Sequence, residues 1–515
     1  MPLVLLTARS EAIVTWWLRD DASVTVAYDD MTPFGSPMTQ RPSRSAREIF
    51  APILEHARSH GFDEVLRTGP ALLADVVASK AFAGVAEPDV DGAWRVLPQV
   101  RYPDVADCPP RWLSVAGPAG GRVTTEVPAS AWPRVHEVIA RLTHDGYTEQ
   151  SGGSPDIAGL VERLREAGLL RSSNDVPALT GDLTFAGHNT VVVRSARSSV
   201  VVDPFLFPSS ASYPDTYQPL GAGRLGTVDA LLITHSHPDH FDPATLIRFP
   251  PDIRVIVPVA ERETVLGADM RHRLGELGFT NVVVLGWGEA ETVGDIVVHA
   301  LPFYGEQPSD GRVLHPDVRN VGNTYVVETP AFSAAFLADS GRDHAGDVRD
   351  VPERWRREHP PVDVVFAGYR GWSTYPVQHV FSSVAAFMLF VPPTLWGCRH
   401  QLMTDAADAV DVAERFGARY LVPYADGGAP WHWEIGLGPK LDGSGTEDPD
   451  FDPYPERVID VARRRIRAPG GEMVASPVRV LLLRPGDSVT DVSGEAGVVR
   501  VPGHSWAYPD TVRLG

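Results

Sequence analysis

The sequence predicts an α/β protein whose central part combines β-sheets with helices. Between residues 183 and 423, short apolar runs of strand length alternate with amphipathic stretches of helical spacing. One of these runs, residues 231–234, leads directly into a cluster of histidine and aspartate residues. A buried strand that delivers metal-binding side chains to a turn is therefore expected to organise the chain.

Length, charge and cysteine content limit the class of protein. A chain of 515 residues predicts two to four domains, and a net charge of −20 argues against nucleic acid as a partner. Cys108 and Cys398 are too few for a disulfide framework. No apolar run reaches the ~20 residues that span a bilayer, and the apolar start lacks the basic flank of a signal peptide. We expect a cytoplasmic protein with no membrane partner.

Two regions precede the metal-binding part. Residues 1–112 are expected to form an N-terminal α/β domain that could serve in dimerisation. Residues 113–178 predict a small, helical, winged-helix-like module, in which Ser154 and Gly168 delimit the second helix. Because the chain is acidic, a structural or dimerisation role for this module is favoured over DNA binding, and peptide binding is the alternative.

Residues 179–425 carry the predicted metal-binding domain, and residues 426–515 an extension packed on it. Apolar runs bounded by turn residues mark the strands, whereas apolar residues at helical spacing mark the helices. The predicted strands are 183–185, 190–194, 199–202, 253–257, 282–285, 296–301, 323–327, 334–338, 364–368 and 420–423, and the predicted helices are 243–249, 261–277, 382–389 and 405–416.

The cluster after the organising strand has the pattern His-x-His-x-Asp-His. His235 and His237 alternate, so both side chains point the same way from an extended backbone. Asp239 and His240 follow Pro238, where the chain turns, and are expected to face a second ion. This pattern resembles the metallo-β-lactamase superfamily. The resemblance implies an αβ/βα sandwich with a two-metal site on the loops along one edge.

The same resemblance implies further ligands. Asp339 ends an apolar strand and is expected to bridge the two ions. His379 follows the strand at 364–368 and is favoured as the last ligand, with His400 as its competitor. Asp203 also ends a strand and is a candidate to orient a ligand imidazole by accepting its second N–H. His188 is expected to line the cleft without binding metal.

One position departs from the superfamily pattern. Relatives carry a histidine in the loop after the strand at 296–301, whereas here Glu306 occupies that loop and His299 lies inside the strand. The first ion would then be held by His235, His237, Glu306 and the bridge. A carboxylate in place of an imidazole favours iron or manganese over zinc.

The order His-x-His-x-Asp-His, Glu306, Asp339, His379 resembles the diiron β-hydroxylase family of the chloramphenicol pathway. That resemblance implies two iron ions, O₂ as co-substrate and an external electron donor. It also implies an aminoacyl substrate tethered to a peptidyl carrier domain, a homodimer, and Glu306 and Asp339 as the central catalytic ligands.

Other readings of the same residues stay open. Tyr304, Trp431 and His432 are candidates to line the substrate pocket, with core packing as the alternative. A zinc or manganese hydrolase of an ester, lactone, amide or phosphodiester fits the histidine cluster equally well. A non-catalytic, peptide-binding role led by residues 113–178 is the third possibility.

Overall fold

The structure is a computed structural model. It describes residues 14–27, 86–88, 94–96, 112–118, 120–148, 155–173, 178–206, 220–237, 239–260, 269–305, 320–371, 373–374, 400–401, 403–425, 455–464 and 476–499, with isolated helical positions between 55 and 75.

The described elements agree with the predicted alternation of strands and helices. The strands are β1 (Thr15–Leu18), β2 (Ser23–Ala27), β3 (Ala86–Pro88), β4 (Trp94–Val96), β5 (Trp112–Ala116), β6 (Arg122–Glu126), β7 (Tyr147–Thr148), β8 (Leu170–Arg171), β9 (Leu183–Gly187), β10 (Thr190–Arg194), β11 (Ser199–Val202), β12 (Ala230–Leu232), β13 (Arg254–Pro258), β14 (Asn281–Leu285), β15 (Ala290–Val293), β16 (Ile296–Pro302), β17 (Asn323–Glu328), β18 (Ser333–Phe336), β19 (Arg342–Asp343), β20 (Gly346–Asp347), β21 (Val364–Ala367), β22 (Ser373–Thr374), β23 (His400–Gln401), β24 (Tyr420–Pro423), β25 (Arg479–Val480), β26 (Ser488–Thr490) and β27 (Gly497–Val499). The helices are α1 (Trp132–Thr143), α2 (Pro155–Glu166), α3 (Pro243–Leu246), α4 (Met270–Leu277), α5 (Val351–Trp355), α6 (Ala406–Phe416) and α7 (Glu456–Arg464).

The first large sheet has the order β14-β13-β12-β11-β10-β9-β26-β27. Its strands from β11 to β14 run parallel, and β9, β10 and β26 add to it as antiparallel neighbours. The valine-rich runs of β10 and β11 are buried on both faces, which is typical of a sheet covered on both sides. The parallel strands therefore end at one common edge.

The second sheet has the order β15-β16-β17-β18-β21-β24-β25, with parallel strands from β18 to β25. Alternate residues of both sheets, such as Val200 and Leu232 in the first and Val327 and Phe336 in the second, form one shared core. The intervening residues face helices: α3 and α4 lie on the outer side of the first sheet, and α5, α6 and α7 cover the second. The predicted αβ/βα sandwich is confirmed.

Aspartate side chains fix where the described helices begin. Asp242, Asp269 and Asp405 each accept a backbone N–H from the first turn of α3, α4 and α6. Of the predicted helix at 261–277, residues 261–268 lie outside the described residues and α4 covers the rest; the predicted helix at 382–389 lies outside them altogether.

Strand pairing joins the N-terminal region to the helical module, and it joins the C-terminal region to the central domain. The expected boundary between residues 112 and 113 falls within β5, which pairs with β2 on one side and β6 on the other. β1 likewise pairs with β7 and β8. At the other end, β25 joins the second sheet and β26 the first. Backbone hydrogen bonds thus connect segments that the sequence pattern treats as separate.

Among the described residues, none of the helices combines the length and apolarity needed to span a membrane.

A buried histidine links the helical module to the first sheet's helix layer. His136 of α1 places Nδ1 3.0 Å from the Leu277 carbonyl oxygen and Nε2 2.9 Å from that of Phe249. Burial lowers the pKa of His136 to about 4, although both carbonyl contacts act to raise it. The imidazole is therefore neutral in the folded protein at pH 7.

This histidine predicts acid-sensitive stability. Between pH 6.5 and about 4 the unfolded chain binds a proton that folded His136 does not, so the free energy of unfolding falls as the pH falls through this window. At pH 5 the loss from this group is about 2 kcal/mol relative to pH 7. Urea unfolding of the His136→Gln variant is expected to show a correspondingly smaller difference between the two pH values. The exposed His272→Gln serves as control, and equal pH dependence in all three proteins would contradict the assignment.

Candidate metal centre

The predicted ligands meet where strands of both sheets end. β11 and β12 are parallel neighbours, so Asp203 and the segment 233–240 emerge side by side. From the second sheet, Asp339 follows β18. His235 pairs with Gly322 in an antiparallel bridge, and the N–H of Asn323 donates to the Thr234 carbonyl oxygen at 2.8 Å. The site therefore forms across the seam between the sheets.

Gly322 allows that seam to close. A Cβ at this position would lie 2.8 Å from the Phe303 ring and 2.9 Å from the Thr234 oxygen. The Phe303 ring lies against His235, with ring centroids 4.9 Å apart. A glycine is required because any side chain here would force apart the two segments that carry the site.

Asp203 is a fully buried carboxylate at the centre of a hydrogen-bond network. Its Oδ1 accepts the Thr234 backbone N–H at 2.7 Å, and its Oδ2 accepts the Thr234 hydroxyl at 2.7 Å. The same Oδ2 lies 2.8 Å from His240 Nδ1. Because a carboxylate only accepts, His240 carries a proton on Nδ1, and when the ring is neutral its lone pair is therefore on Nε2.

Thr234 transmits the same constraint to His235. The threonine hydroxyl donates its single hydrogen to Asp203 and lies 3.0 Å from His235 Nδ1. It can therefore only accept from that nitrogen, so His235 also carries its proton on Nδ1 and presents the lone pair on Nε2. One carboxylate and one hydroxyl thus prepare two imidazoles as metal ligands.

Asp339 supplies a buried carboxylate on the opposite side of the cluster. Its Oδ2 lies 3.1 Å from His240 Nε2, and its Oδ1 is buried without a hydrogen-bond partner among the described residues. The preceding residue, Ala338, has φ 48° and donates its backbone N–H to the Tyr424 hydroxyl at 2.7 Å. An uncompensated buried carboxylate oxygen is costly, and a bound cation would offset that cost.

His188 and Asn189 belong to the same cluster. His188 Nε2 lies 2.8 Å from Asp239 Oδ2, and the Asn189 amide nitrogen lies 2.9 Å from His240 Nε2. The sequence indicated His188 as a cleft residue and gave Asn189 no role. The signal that could have identified both is their position in the turn between β9 and β10, beside the strand that leads to Asp203.

Three residues of the site adopt the left-handed backbone conformation that usually favours glycine. Their φ values are 52° for His188, 42° for Asp203 and 48° for Ala338. Each such residue costs of order 1–3 kcal/mol unless its surroundings enforce it. Strain at three points around one cluster indicates that the fold places these side chains at the expense of local stability.

The charges of the cluster converge on His240. Burial lowers the pKa of this imidazole. The carboxylates of Asp339, Asp203 and Asp239 raise it by a larger amount, so the net pKa lies well above the ordinary value. Three carboxylates around His240 stabilise a positive charge beside this imidazole, whether it is carried by a proton or by a metal ion.

The donor set fits metal ions. His235, His240 and Asp339 offer atoms within 4.8 Å of one another, and so do His188, Asp239 and His240. The His237 ring lies beside the first group, with its centroid 4.6 Å from that of His235. These imidazoles and carboxylates make two overlapping groups that share His240. Each group has the donor types to hold one metal ion.

Several predicted site residues lie outside the described residues. They are Glu306, His379, Trp431 and His432, whose roles stay predictions. Tyr304 is described: its ring is buried under the β19–β20 hairpin, where a Cβ on Gly346 would lie 2.5 Å from it. Its main chain exchanges hydrogen bonds with the Ser340 hydroxyl, both at 3.0 Å. This geometry favours a role in supporting Asp339 over contact with a substrate.

The backbone near His400 also bears on the last ligand. β23 pairs with β22 beyond the end of β21, and the Thr404 hydroxyl donates to the Gly368 carbonyl oxygen. A Cβ on Gly368 would lie 3.0 Å from the Ala338 oxygen and 3.1 Å from the Met403 side chain. Residues 403 and 404, which follow His400 in the chain, therefore lie close to Gly368 and to Ala338, the residue before Asp339.

Comparison with known proteins identifies a matching domain model and several relatives. Residues 182–425 match the model of a beta-lactamase superfamily domain. The chain is 32% identical over 192 residues to the 4-amino-L-phenylalanyl-[CmlP-peptidyl-carrier-protein] 3-hydroxylase of Streptomyces venezuelae, a match of 36% of this chain. It spans about a third (33%) of that relative's length. A UPF0173 protein of Pyrococcus furiosus is 29% identical over 194 residues, 35% of this chain and 80% of its own.

Among solved structures, the chain is similar to CmlA, a diiron beta-hydroxylase from Streptomyces venezuelae. The TM-score is 0.57 at 17% identity, with 95% of this chain and 100% of that chain covered. At this identity the likeness concerns the fold, and it extends beyond the central sandwich.

Proposed function

We propose that this chain, whose residues 182–425 match a β-lactamase superfamily domain, is an O₂-dependent diiron monooxygenase. Its proposed substrate is an aminoacyl group tethered to a peptidyl carrier domain, hydroxylated at the β-carbon. The sequence match to a carrier-protein-dependent 3-hydroxylase carries this proposal. The fold alone does not, because hydrolases share it.

The residues proposed to hold the metal ions divide into two groups with one member in common. His235, His237 and Glu306 would hold the first ion; Asp239, His240 and the last histidine would hold the second. Asp339 would contribute to both. Two irons held by these residues would supply the redox chemistry that O₂-dependent hydroxylation requires. One oxygen atom enters the C–H bond and the other leaves as water, so an external donor must provide two electrons and two protons.

The chain's own residues contribute orientation and charge. Asp203 Oδ2 lies 2.8 Å from His240 Nδ1 and keeps a proton on that nitrogen. The Thr234 hydroxyl oxygen lies 3.0 Å from His235 Nδ1 and does the same for that ring. The carboxylates of Asp203, Asp239 and Asp339 around His240 balance the charge of bound cations. No side chain is required as a nucleophile. The carrier domain, the electron donor and a homodimer remain parts of the proposal.

Metal content is the direct test. Protein purified aerobically is expected to contain about two irons per chain and to show oxo-to-iron charge-transfer absorption. With an aminoacylated carrier protein and a chemical reductant, the acyl group should gain one oxygen atom, measured by mass spectrometry. Two zincs, a featureless spectrum and hydrolysis of ester or lactone substrates would favour the hydrolase instead.

Glu306 is expected to decide the metal preference. The Glu306→His variant restores the imidazole of zinc-binding relatives, so the ratio of zinc to iron should rise and O₂-dependent hydroxylation should be lost. Glu306→Asp, which keeps the carboxylate, is the matched control and should retain iron. Hydroxylation that persists in Glu306→His would refute the role given to this residue.

The last ligand can be assigned by comparing two histidines. We favour His400 over His379 because Met403 and Thr404, which follow His400 in the chain, lie against Gly368 and close to Ala338. His400→Ala is expected to lose one iron per chain, whereas His379→Ala should keep both. Metal analysis of the two variants distinguishes the assignments, and loss in His379→Ala alone would restore the assignment favoured by the sequence.

A further inference from the structure

A second group of metal-binding side chains lies away from the cluster described above. In β16 the residues Val298 and Ala300 face the core between the sheets, whereas His299 points to the outer side, toward α5. His299 Nε2 lies 2.7 Å from Glu328 Oε2 at the end of β17. His359, in the turn after α5, completes the group, with its ring centroid 5.0 Å from that of His299.

The three side chains come from separate elements but are held in place. The His359 ring stacks on Trp355 with centroids 3.8 Å apart and an interplanar angle of 9°. The indole N–H of Trp355 donates to the Pro360 carbonyl oxygen, and the His359 backbone N–H donates to the Trp355 oxygen, both at 3.0 Å. Little conformational freedom of His359 remains to be lost when a ligand binds.

The spacing of the donor atoms suits a single ion. One atom from each of His299, Glu328 and His359 lies within 4.8 Å of the other two. Ligands about 2.1 Å from a tetrahedral ion are separated by about 3.4 Å, so small side-chain rotations would close the group around an ion. In the part of the chain that the structure describes, the His359 ring makes contacts with Trp355 and His299 but no hydrogen bond.

We propose that His299, Glu328 and His359 form an additional metal site for a divalent first-row transition ion, with Zn²⁺ as the expected occupant. Two neutral imidazoles and one carboxylate are the donor types of three-ligand zinc sites that keep an open position. The side chains of His299 and Glu328 are 17% and 28% exposed, so solvent reaches the group and a water molecule can complete the coordination. A bound ion would tie the end of α5 to the outer face of β16 and β17.

The charge of the group also favours a cation. The Glu328 carboxylate gives the site one negative charge, and its hydrogen bond to His299 is the interaction an ion would replace. The pair His272–Glu276 on α4 offers a comparison, because its atoms lie 3.7 Å apart and no third metal-binding group stands near them among the described residues. Such a pair is expected to bind zinc weakly.

Zinc binding to the full-length protein, with its resident metals left in place, tests the site. Equilibrium dialysis with zinc chloride should show one zinc fewer per chain for His359→Gln and Glu328→Gln than for the wild type. The matched control His272→Gln should bind as much zinc as the wild type. Each lost ligand is expected to weaken this step by about tenfold or more, since even indirect partners of ligands contribute 10–100-fold.

A second measurement separates ligand loss from misfolding. Unfolding temperatures in the presence of a chelator should be similar for all four proteins. Added zinc should then raise the unfolding temperature of the wild type and of His272→Gln more than those of the two site variants. Equal zinc stoichiometry in all four proteins would overturn the proposal, as would loss of binding in Glu328→Gln with full binding in His359→Gln. Neither outcome affects the diiron proposal, which concerns other residues.

Discussion

Replacement of Asp339 by asparagine is expected to remove bound metal and the proposed hydroxylase activity together. Asp339 Oδ2 lies 3.1 Å from His240 Nε2, and Oδ1 is buried without a partner among the described residues. An amide has one acceptor oxygen and no charge, so it cannot balance two cations as a carboxylate does. Activity should fall on the order of a hundredfold or more, because partners that only orient ligands already account for 10–100-fold.

In the metal-free protein, the Asp339→Asn variant is not expected to lose stability. Removing a buried charge whose Oδ1 lacks a hydrogen bond should leave the metal-free unfolding free energy unchanged or raise it. Iron content by elemental analysis and urea unfolding with and without metal would measure both effects. Asp350→Asn, at a carboxylate that is 62% exposed, is the control and should change neither. If Asp339→Asn keeps both ions, Asp339 is not the bridging ligand.

The Asp203→Asn variant is expected to weaken metal binding without removing any ligand. The new amide N–H₂ would face the His240 Nδ1 and the Thr234 hydroxyl, where a carboxylate oxygen now accepts from both. His240 would then favour the tautomer with its proton on Nε2 and lose the lone pair that faces Asp339. Metal affinity should fall by about 10–100-fold.

Asparagine is a suitable replacement because it tolerates the left-handed backbone of position 203, where φ is 42°. The loss therefore reports the hydrogen bonds more than the backbone. Thr234→Val should produce a smaller loss through His235, and Thr234→Ser, which keeps the hydroxyl, should bind metal as the wild type does. Iron dissociation constants from competition with a chelator would measure the series. Unchanged affinity in Asp203→Asn would mean that Asp203 has a structural role alone.

Much of the sandwich could be predicted from the chain itself. Hydrophobic runs such as residues 190–194 and 199–202 correspond to β10 and β11 without change, because a strand buried on both faces needs an unbroken apolar sequence. The strand before Asp339 and the helix that begins after Asp405 were also indicated, since strand ends and N-caps carry local signals.

The division into regions was harder to predict. The boundary expected after residue 112 lies within β5, which pairs with β2, about ninety residues earlier in the chain. Strand pairing over such distances depends on which edges are exposed after folding, and no local pattern encodes it.

The sequence by itself determined the ligand types, because imidazoles and carboxylates at the spacing of residues 235–240 have few other uses. Only the tertiary structure decided how they are tuned. It brings Asp203 to within 2.8 Å of His240, places Asn189 beside the same imidazole, and packs the Tyr304 ring under a hairpin. The physical reason is that metal affinity depends on which nitrogen carries the proton. That choice is made by groups brought together from distant strand ends, not by neighbours in the chain.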